Sequence, residues 1–301
     1  ILTNNELVSV LQSIEKKLII SLLILLILLP SKSFGINLDK LNTKAGVTAL
    51  MYHRFDEDKY PSTNIKKEIF LEHINIANSL GIEFINLKKF EEIMKSNIDK
   101  NYLLLTIDDA FGSFYKNAWP VLKEKKIPFI LFVSTREVGN FGYMTWDQIK
   151  KIEKYSFVTI GNHSHTHEYL IDLNNDEIKS DLEKSIKIFK EKIGYSPKIF
   201  SYPFGEYSTD FKKIVFDLNF NYAFGQHSGV IDRTKNFLEL PRFPINEKYG
   251  KIKRFKSLLK TLPFPYKNVF PENRYLTKNN NPPKVKIKFF ENLININNIN
   301  C

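Results

Sequence analysis

The sequence has one cysteine, Cys301. No intramolecular disulfide can form, and a lone cysteine in that position is not a nucleophile candidate. Freedom from disulfides fits both reducing and oxidising compartments, so cysteine usage leaves location open. Internal repeats are absent, which argues against a solenoid or propeller. No nucleic-acid-binding motif occurs, so the net charge of +11 does not make nucleic acid a partner. Lys, Asn and Ile are abundant throughout, and the charge reads as compositional bias on a solvated surface. Hydrophobic residues make up 43% and charged residues 26%, which leaves no room for long disorder in the middle of the chain.

Long apolar runs are also missing, with one exception. Lys16 and Lys17 precede residues 18–29, in which Ser21 alone is polar. Pro30, Ser31, Lys32, Ser33 and Gly35 follow. A basic flank, an apolar centre, a helix breaker and small residues are the layout of a secretory signal. As a helix the run spans about 18 Å, short against a bilayer core of about 30 Å. Residues 1–35 are therefore expected to be a signal peptide. An uncleaved N-terminal membrane anchor is the alternative, because the stretch before Lys16 is long for a signal. Either way the chain is expected to be exported, to the periplasm or cell envelope, with association with the inner membrane as the anchored variant.

The remaining length suffices for a closed barrel. Strands are expected at residues 47–52, 84–87, 102–107, 128–134, 157–161, 198–202 and 222–224. Helices are expected at 65–80, 89–95, 114–125, 145–154, 174–193 and 209–218. Gly81 and Gly194 follow two of these helices as C-terminal caps do. About seven alternations with short connections argue for an α/β fold, a (β/α) barrel of parallel strands in a single catalytic domain. Residues 251–301 differ. A basic helix at 251–260 is followed by Pro263, Pro265 and Pro271, then by a basic, Asn-rich tail that reads as an edge strand or an arm.

Two segments carry chemistry. The first is Thr106-Ile107-Asp108-Asp109, an apolar strand closed by two carboxylates. Side chains alternate along a strand, so one aspartate can bind a metal while the other addresses water. The second is His163-Ser164-His165-Thr166-His167, half of the six histidines within five residues. If this segment is extended, all three imidazoles share a face. If it turns helical after His163, only His163 and His167 meet on one face and His165 faces elsewhere. Oxygen and nitrogen donors of this kind suit a zinc-like divalent ion. His53, both aspartates, His163 and residues 202–205 all lie at expected strand ends, where barrel chemistry sits.

Thr106-Ile107-Asp108-Asp109-Ala110 resembles the Thr-Phe-Asp-Asp-Gly signature of polysaccharide deacetylases, the NodB-homology group also called carbohydrate esterase family 4. The histidine segment matches that family's His-(Ser/Thr)-x-x-His motif. Tyr202-Pro203-Phe204-Gly205 resembles its Pro-(Tyr/Phe)-Gly loop. Leu50-Met51-Tyr52-His53 resembles the early Tyr-His motif of the poly-N-acetylglucosamine deacetylases of biofilm systems. The resemblance covers roughly residues 47–245, within a domain expected at 45–250.

It implies a distorted (β/α)7-type barrel and a divalent metal, most often zinc, on Asp109, His163 and His167. It further implies Asp108 as the base toward a metal-activated water and His53 as the acid toward the departing amine. The backbone N–H of Phe204 is implied as an oxyanion donor. Tyr202, Pro203, Trp146 and Arg242 are candidate substrate-binding residues, and His227 is the rival acid. The activity implied is removal of N-acetyl groups from a GlcNAc-containing glycan. The alternatives are an O-deacetylase, a deacetylase of a lipid-linked sugar, or a glycan-binding protein on the same fold.

Three positions depart from the family pattern. Ala110 stands where Gly is usual. Ser201 stands where an arginine that orients the base is usual, and Arg242, in Pro241-Arg242-Phe243-Pro244, is the candidate replacement. Arg54 follows His53 where Asp is frequent.

Overall fold

The computed structural model describes residues 45–290. The expected export segment and Cys301 lie outside these residues. Among the described residues no helix is long and apolar enough to cross a membrane.

The first part of the chain contains β1 (Val47–Tyr52), β2 (Arg54–Phe55), β3 (Asn64–Ile65), α1 (Lys67–Ser79), β4 (Glu83–Phe84), α2 (Leu87–Lys95) and β5 (Tyr102–Ile107). Next come a π-helical turn (Phe114–Ala118), α3 (Trp119–Lys125), β6 (Phe129–Val133), α4 (Trp146–Glu153), β7 (Val158–Asn162) and α5 (Asn175–Ile193). Then follow β8 (Ile199–Ser201), α6 (Thr209–Asp217), β9 (Tyr222–Phe224), β10 (Phe243–Pro244), α7 (Ile252–Leu258), β11 (Tyr266–Phe270) and β12 (Lys286–Phe289).

The main sheet runs β10-β1-β5-β6-β7-β8-β9, with β4 paired to β5 off this path. Every pairing within it is parallel. One short segment nearly closes the ring: Leu240 bridges Phe224 of β9, and Phe243 pairs with Leu50 of β1. This is the expected distorted seven-stranded barrel. Parallel order puts all the strand carboxyl ends on one face.

Continuous apolar runs build the central strands. All six residues of β1 and all six of β5 are buried. Leu103, Leu104 and Leu105 are at most 1% exposed, and each fully buried leucine contributes roughly 2 kcal/mol relative to exposure. Gly161 in β7 is required by close approach, since a Cβ there would lie 2.4 Å from the ring of Phe132. Capping chemistry sets the helix limits. Asn174 caps α5 with a full capping box, and Gly194 ends it at φ 86°. Thr145 and Gln148 do the same for α4.

The expected strand at 84–87 shrinks to Glu83–Phe84. Asn86 accepts a hydrogen bond from the Lys89 N–H (2.9 Å) and so starts α2 at Leu87. Packing continues past residue 250, where Phe255, Leu258 and Leu259 join the main core. The tail strand β12 pairs antiparallel with β11 in a separate two-stranded sheet.

His73 on α1 is a structural histidine. Its Nδ1 accepts from the Tyr52 hydroxyl (2.9 Å), its Nε2 donates to the Gly250 carbonyl (2.6 Å), and its ring stacks on Phe255 at 4.0 Å. Burial lowers its pKa from 6.5 to about 4, against the pull of the Gly250 carbonyl. Between those values the unfolded chain binds a proton that the folded protein refuses. Stability should therefore be complete above pH 6.5 and fall as the pH drops to about 4, by roughly 3 kcal/mol from this residue. Urea unfolding of wild type and His73→Gln across that window measures the difference; parallel pH profiles would contradict it.

Candidate active site

The two aspartates close β5. Asp109 (φ 72°) and Ala110 (φ 54°) both take left-handed backbone, which costs a non-glycine residue roughly 1–2 kcal/mol. That explains why glycine is usual at position 110. The bend turns Asp108 inward, fully buried, and leaves Asp109 13% exposed at the barrel mouth.

The histidine segment turns after His163 but does not become helical. Only His163 and His167 meet, as in the second expected geometry, yet the turn is made by side-chain bonds and positive φ instead of a helix. Asn162 Oδ1 accepts from the Ser164 N–H (2.8 Å), and Ser164 Oγ accepts from the His167 N–H (3.0 Å). Ser164 and His167 both have positive φ. Asp181 on α5 pins the outside of the turn, accepting from the His165 N–H (2.8 Å), the Thr166 N–H (3.0 Å) and the Thr166 hydroxyl (2.6 Å). His165 points away, with its Nδ1 2.9 Å from the Thr135 hydroxyl.

His163 and His167 thus face each other and Asp109. The Nε2 atoms lie 3.4 Å and 3.1 Å from Asp109 Oδ1. The donor atoms of the three residues all fall within 4.8 Å of one another. Ligands at about 2.0–2.1 Å from a tetrahedral zinc are separated by about 3.4 Å, so these spacings match the edges of such a site. The tautomer of His163 fits too: its Nδ1–H donates to the Ser201 carbonyl (2.7 Å), leaving the Nε2 lone pair toward Asp109. The residues present fit a divalent ion. Burial pushes His163 down to about 4, while hydrogen bonding and charge from Asp109 outweigh burial and raise His167.

Asp108 is held by a guanidinium. Arg242, with no exposed surface, donates Nη1–H to Oδ1 (2.7 Å) and Nη2–H to Oδ2 (2.8 Å). Its Nη2 also donates to the Ser201 hydroxyl (2.8 Å), which in turn donates to Asp108 Oδ2 (3.2 Å). Nη1 reaches Thr106 Oγ1 (3.1 Å), and Nε donates to the Gly225 carbonyl (2.9 Å). Burial raises the Asp108 pKa, but Arg242 and His163 more than offset it, leaving the carboxyl below its usual value. The small side chain of Ser201 leaves space that Arg242 fills from beside β10. Arg242 is therefore a buried partner of Asp108, not a surface charge or a substrate contact.

His53 follows β1 and is partly exposed. It is an electrostatic neighbour of both Asp108 and Asp109. Arg54 turns elsewhere: its guanidinium lies 3.4 Å over Phe111, near Tyr60, and pairs with Glu57 (2.7 Å). His227 sits against Tyr207, with ring centroids 6.1 Å apart. Burial, then Arg274 and Arg242, lower its pKa to about 4.

The loop after β8 brings Phe204 over the site, at φ 56° and 46% exposed, with its ring 4.9 Å from that of His167. The Gly205 N–H closes the turn on the Tyr202 carbonyl (2.8 Å). Pro203 is buried. Tyr202 has no exposed surface, packs among Phe200, Tyr207 and Phe211, and donates its hydroxyl to the Leu238 carbonyl (2.9 Å). Its side chain supports the loop from below and does not face a substrate. Trp146 is half-buried and packs edge-on against Phe189 in the helical layer, 5.7 Å between centroids. Asp181 is a support that sequence reasoning did not single out, since only the fold brings it to the site; Thr106 stands in the aspartate motif, but its bond to Arg242 is made only in the fold.

The family model for polysaccharide deacetylase matches residues 95–223. The poly-beta-1,6-N-acetyl-D-glucosamine N-deacetylase of Staphylococcus aureus strain MRSA252 is 27% identical over 270 residues, covering 77% of this chain and 93% of that protein. Among solved structures, IcaB from Ammonifex degensii aligns with a TM-score of 0.65 at 22% identity, over 72% of this chain and 97% of that one. The Streptococcus pyogenes deacetylase PplD, solved with acetate, aligns with a TM-score of 0.65 at 19% identity, over 71% and 98%. These two structural likenesses show the fold.

Proposed function

We propose that this chain, which carries a polysaccharide deacetylase domain, hydrolyses N-acetyl groups on a GlcNAc-containing polysaccharide. One observation carries the reading: the Asp109–His163–His167 donor set stands beside a separate, Arg-paired carboxylate, Asp108. A glycan-binding protein on this fold would have no use for a buried base beside a metal triad. The similarity to the staphylococcal poly-β-1,6-GlcNAc deacetylase supports the polymer class.

Asp109, His163 and His167 would hold the divalent ion, with zinc the choice best suited to one carboxylate and two imidazoles. When bound, such an ion acidifies water and polarises the acetyl carbonyl. The chain's own groups do the rest. Asp108 accepts the proton of the attacking water, and Arg242 keeps the carboxylate ionised and aimed. The Phe204 N–H, on its left-handed turn, donates to the oxyanion that develops in the transition state. His53 protonates the departing amine, which is a poor leaving group until it gains a proton. His227 suits that role less, because burial and two neighbouring arginines keep it neutral. We take residues 45–250 as the domain, with Phe255, Leu258 and Leu259 of the extension joining its core, on a chain exported to the cell envelope.

Acetate release from a panel of β-1,6-linked GlcNAc oligomers, chitin oligomers, peptidoglycan and acetylated xylan tests the reading. The fastest release is expected from the β-1,6-linked oligomers. Release from xylan alone would replace the N-deacetylase reading with an O-deacetylase, and no release from any member with metal bound would sink it.

A further inference from the structure

The C-terminal extension reaches the catalytic face. Tyr275 donates its hydroxyl to Asp172 Oδ1 (2.9 Å), across 103 residues of sequence. Beside it, the Arg274 guanidinium lies 5.6 Å over the ring of Tyr207, in the core beneath the Phe204 loop. Asp172 belongs to a short helical turn (Leu170–Asp172) that follows the histidine segment and is anchored by buried Leu170 and Ile171. Tyr169, just before that turn, stands 5.3 Å from Phe204 between ring centroids, and Phe204 stands 4.9 Å from His167. After Asp172, Tyr169 is a further electrostatic neighbour of the Tyr275 hydroxyl.

These contacts join Phe204 to His167 and to Tyr169 through their rings, and the bond to Asp172 sets Tyr275 beside the turn that follows Tyr169. Phe204, Tyr169 and Tyr275 are exposed, by 46%, 47% and 38%. Neighbouring exposed aromatic rings on a soluble surface mark an interaction site. Aromatic faces fit the apolar C–H faces of pyranose rings. The bond to Asp172 fixes the Tyr275 hydroxyl, which lowers the ordering cost of binding at that ring.

We propose that Tyr169 and Tyr275 extend the active site into a stacking track for successive sugar rings of a hexosamine polymer, so that the C-terminal extension forms one wall of the substrate groove. The proposal rests on the deacetylase reading above. It assigns the extension a part in substrate selection: long chains reach the track, and short ones do not.

Calorimetric titration of β-1,6-linked GlcNAc disaccharide and hexasaccharide tests it, in an Asp108→Asn background that slows turnover about a thousandfold. The hexasaccharide should bind more tightly than the disaccharide. Adding Tyr275→Ala should weaken the hexasaccharide about five- to tenfold and reduce its advantage accordingly. Tyr275→Phe, which keeps the ring and loses the bond to Asp172, should restore most of the affinity. Tyr195→Ala, an exposed tyrosine outside the track, should leave the length preference intact. Equal affinity for the two lengths, no binding of either, or an unchanged hexasaccharide affinity in Tyr275→Ala overturns the track. Length-dependent binding without acetate release by wild type would instead overturn the hydrolytic reading and leave the track standing.

Discussion

Asp108→Asn should lower kcat by about a thousandfold while the protein still binds one metal ion per chain. The three metal-donor residues are untouched by the substitution, so metal content reports that the site is intact. An amide cannot accept the proton of water, so the loss falls on the chemical step. Some stability is lost as well, because Arg242 then keeps a buried charge with no anion facing it. Activity within tenfold of wild type, with metal bound, would remove Asp108 from the mechanism. Loss of metal together with activity would make Asp108 a ligand instead of a base.

Arg242→Met should have the largest effect on stability, about 3–5 kcal/mol, because it strands a buried carboxylate. In a chain of this size that corresponds to a fall in melting temperature of roughly 10 °C. Arg242 also bonds Thr106, Ser201 and the Gly225 carbonyl, so its loss loosens β5, β8 and the end of β9 together. The double variant Asp108→Leu/Arg242→Met separates the two roles. It should regain much of the lost stability, since both charges are gone, yet remain inactive. Simple addition of the two single-variant losses would show that the pair is not a coupled unit. Recovery of activity would show that neither residue matters to the chemistry.

The strands and the motifs were legible in the sequence for one physical reason. A strand buried on both faces needs a continuous apolar run, and β1 and β5 carry such runs over the residues expected, 47–52 and 102–107. The chemistry follows directly at their ends. The orientation of the histidines was open, because it depends on the side chains of Asn162 and Ser164 and on Asp181, which reaches the turn from another element. The Asp108–Arg242 pair joins residues 134 apart, so the sequence offered Arg242 only as a candidate for the arginine missing at Ser201, and the fold brings the two together. The hairpin of β11 and β12 was least legible. Lys286–Phe289 is largely exposed and its pattern does not demand a core, and the Tyr275–Asp172 contact exists only in the folded chain.

Titration of metal-stripped protein with zinc, followed by acetate release from β-1,6-linked GlcNAc oligomers, tests the central claim most directly. Activity should be absent after chelation, rise linearly with added zinc and level off at one ion per chain. In Asp109→Ala it should stay absent across the same range. Acetate release that survives chelation, or that Asp109→Ala retains, would contradict a hydrolase built on Asp109, His163 and His167.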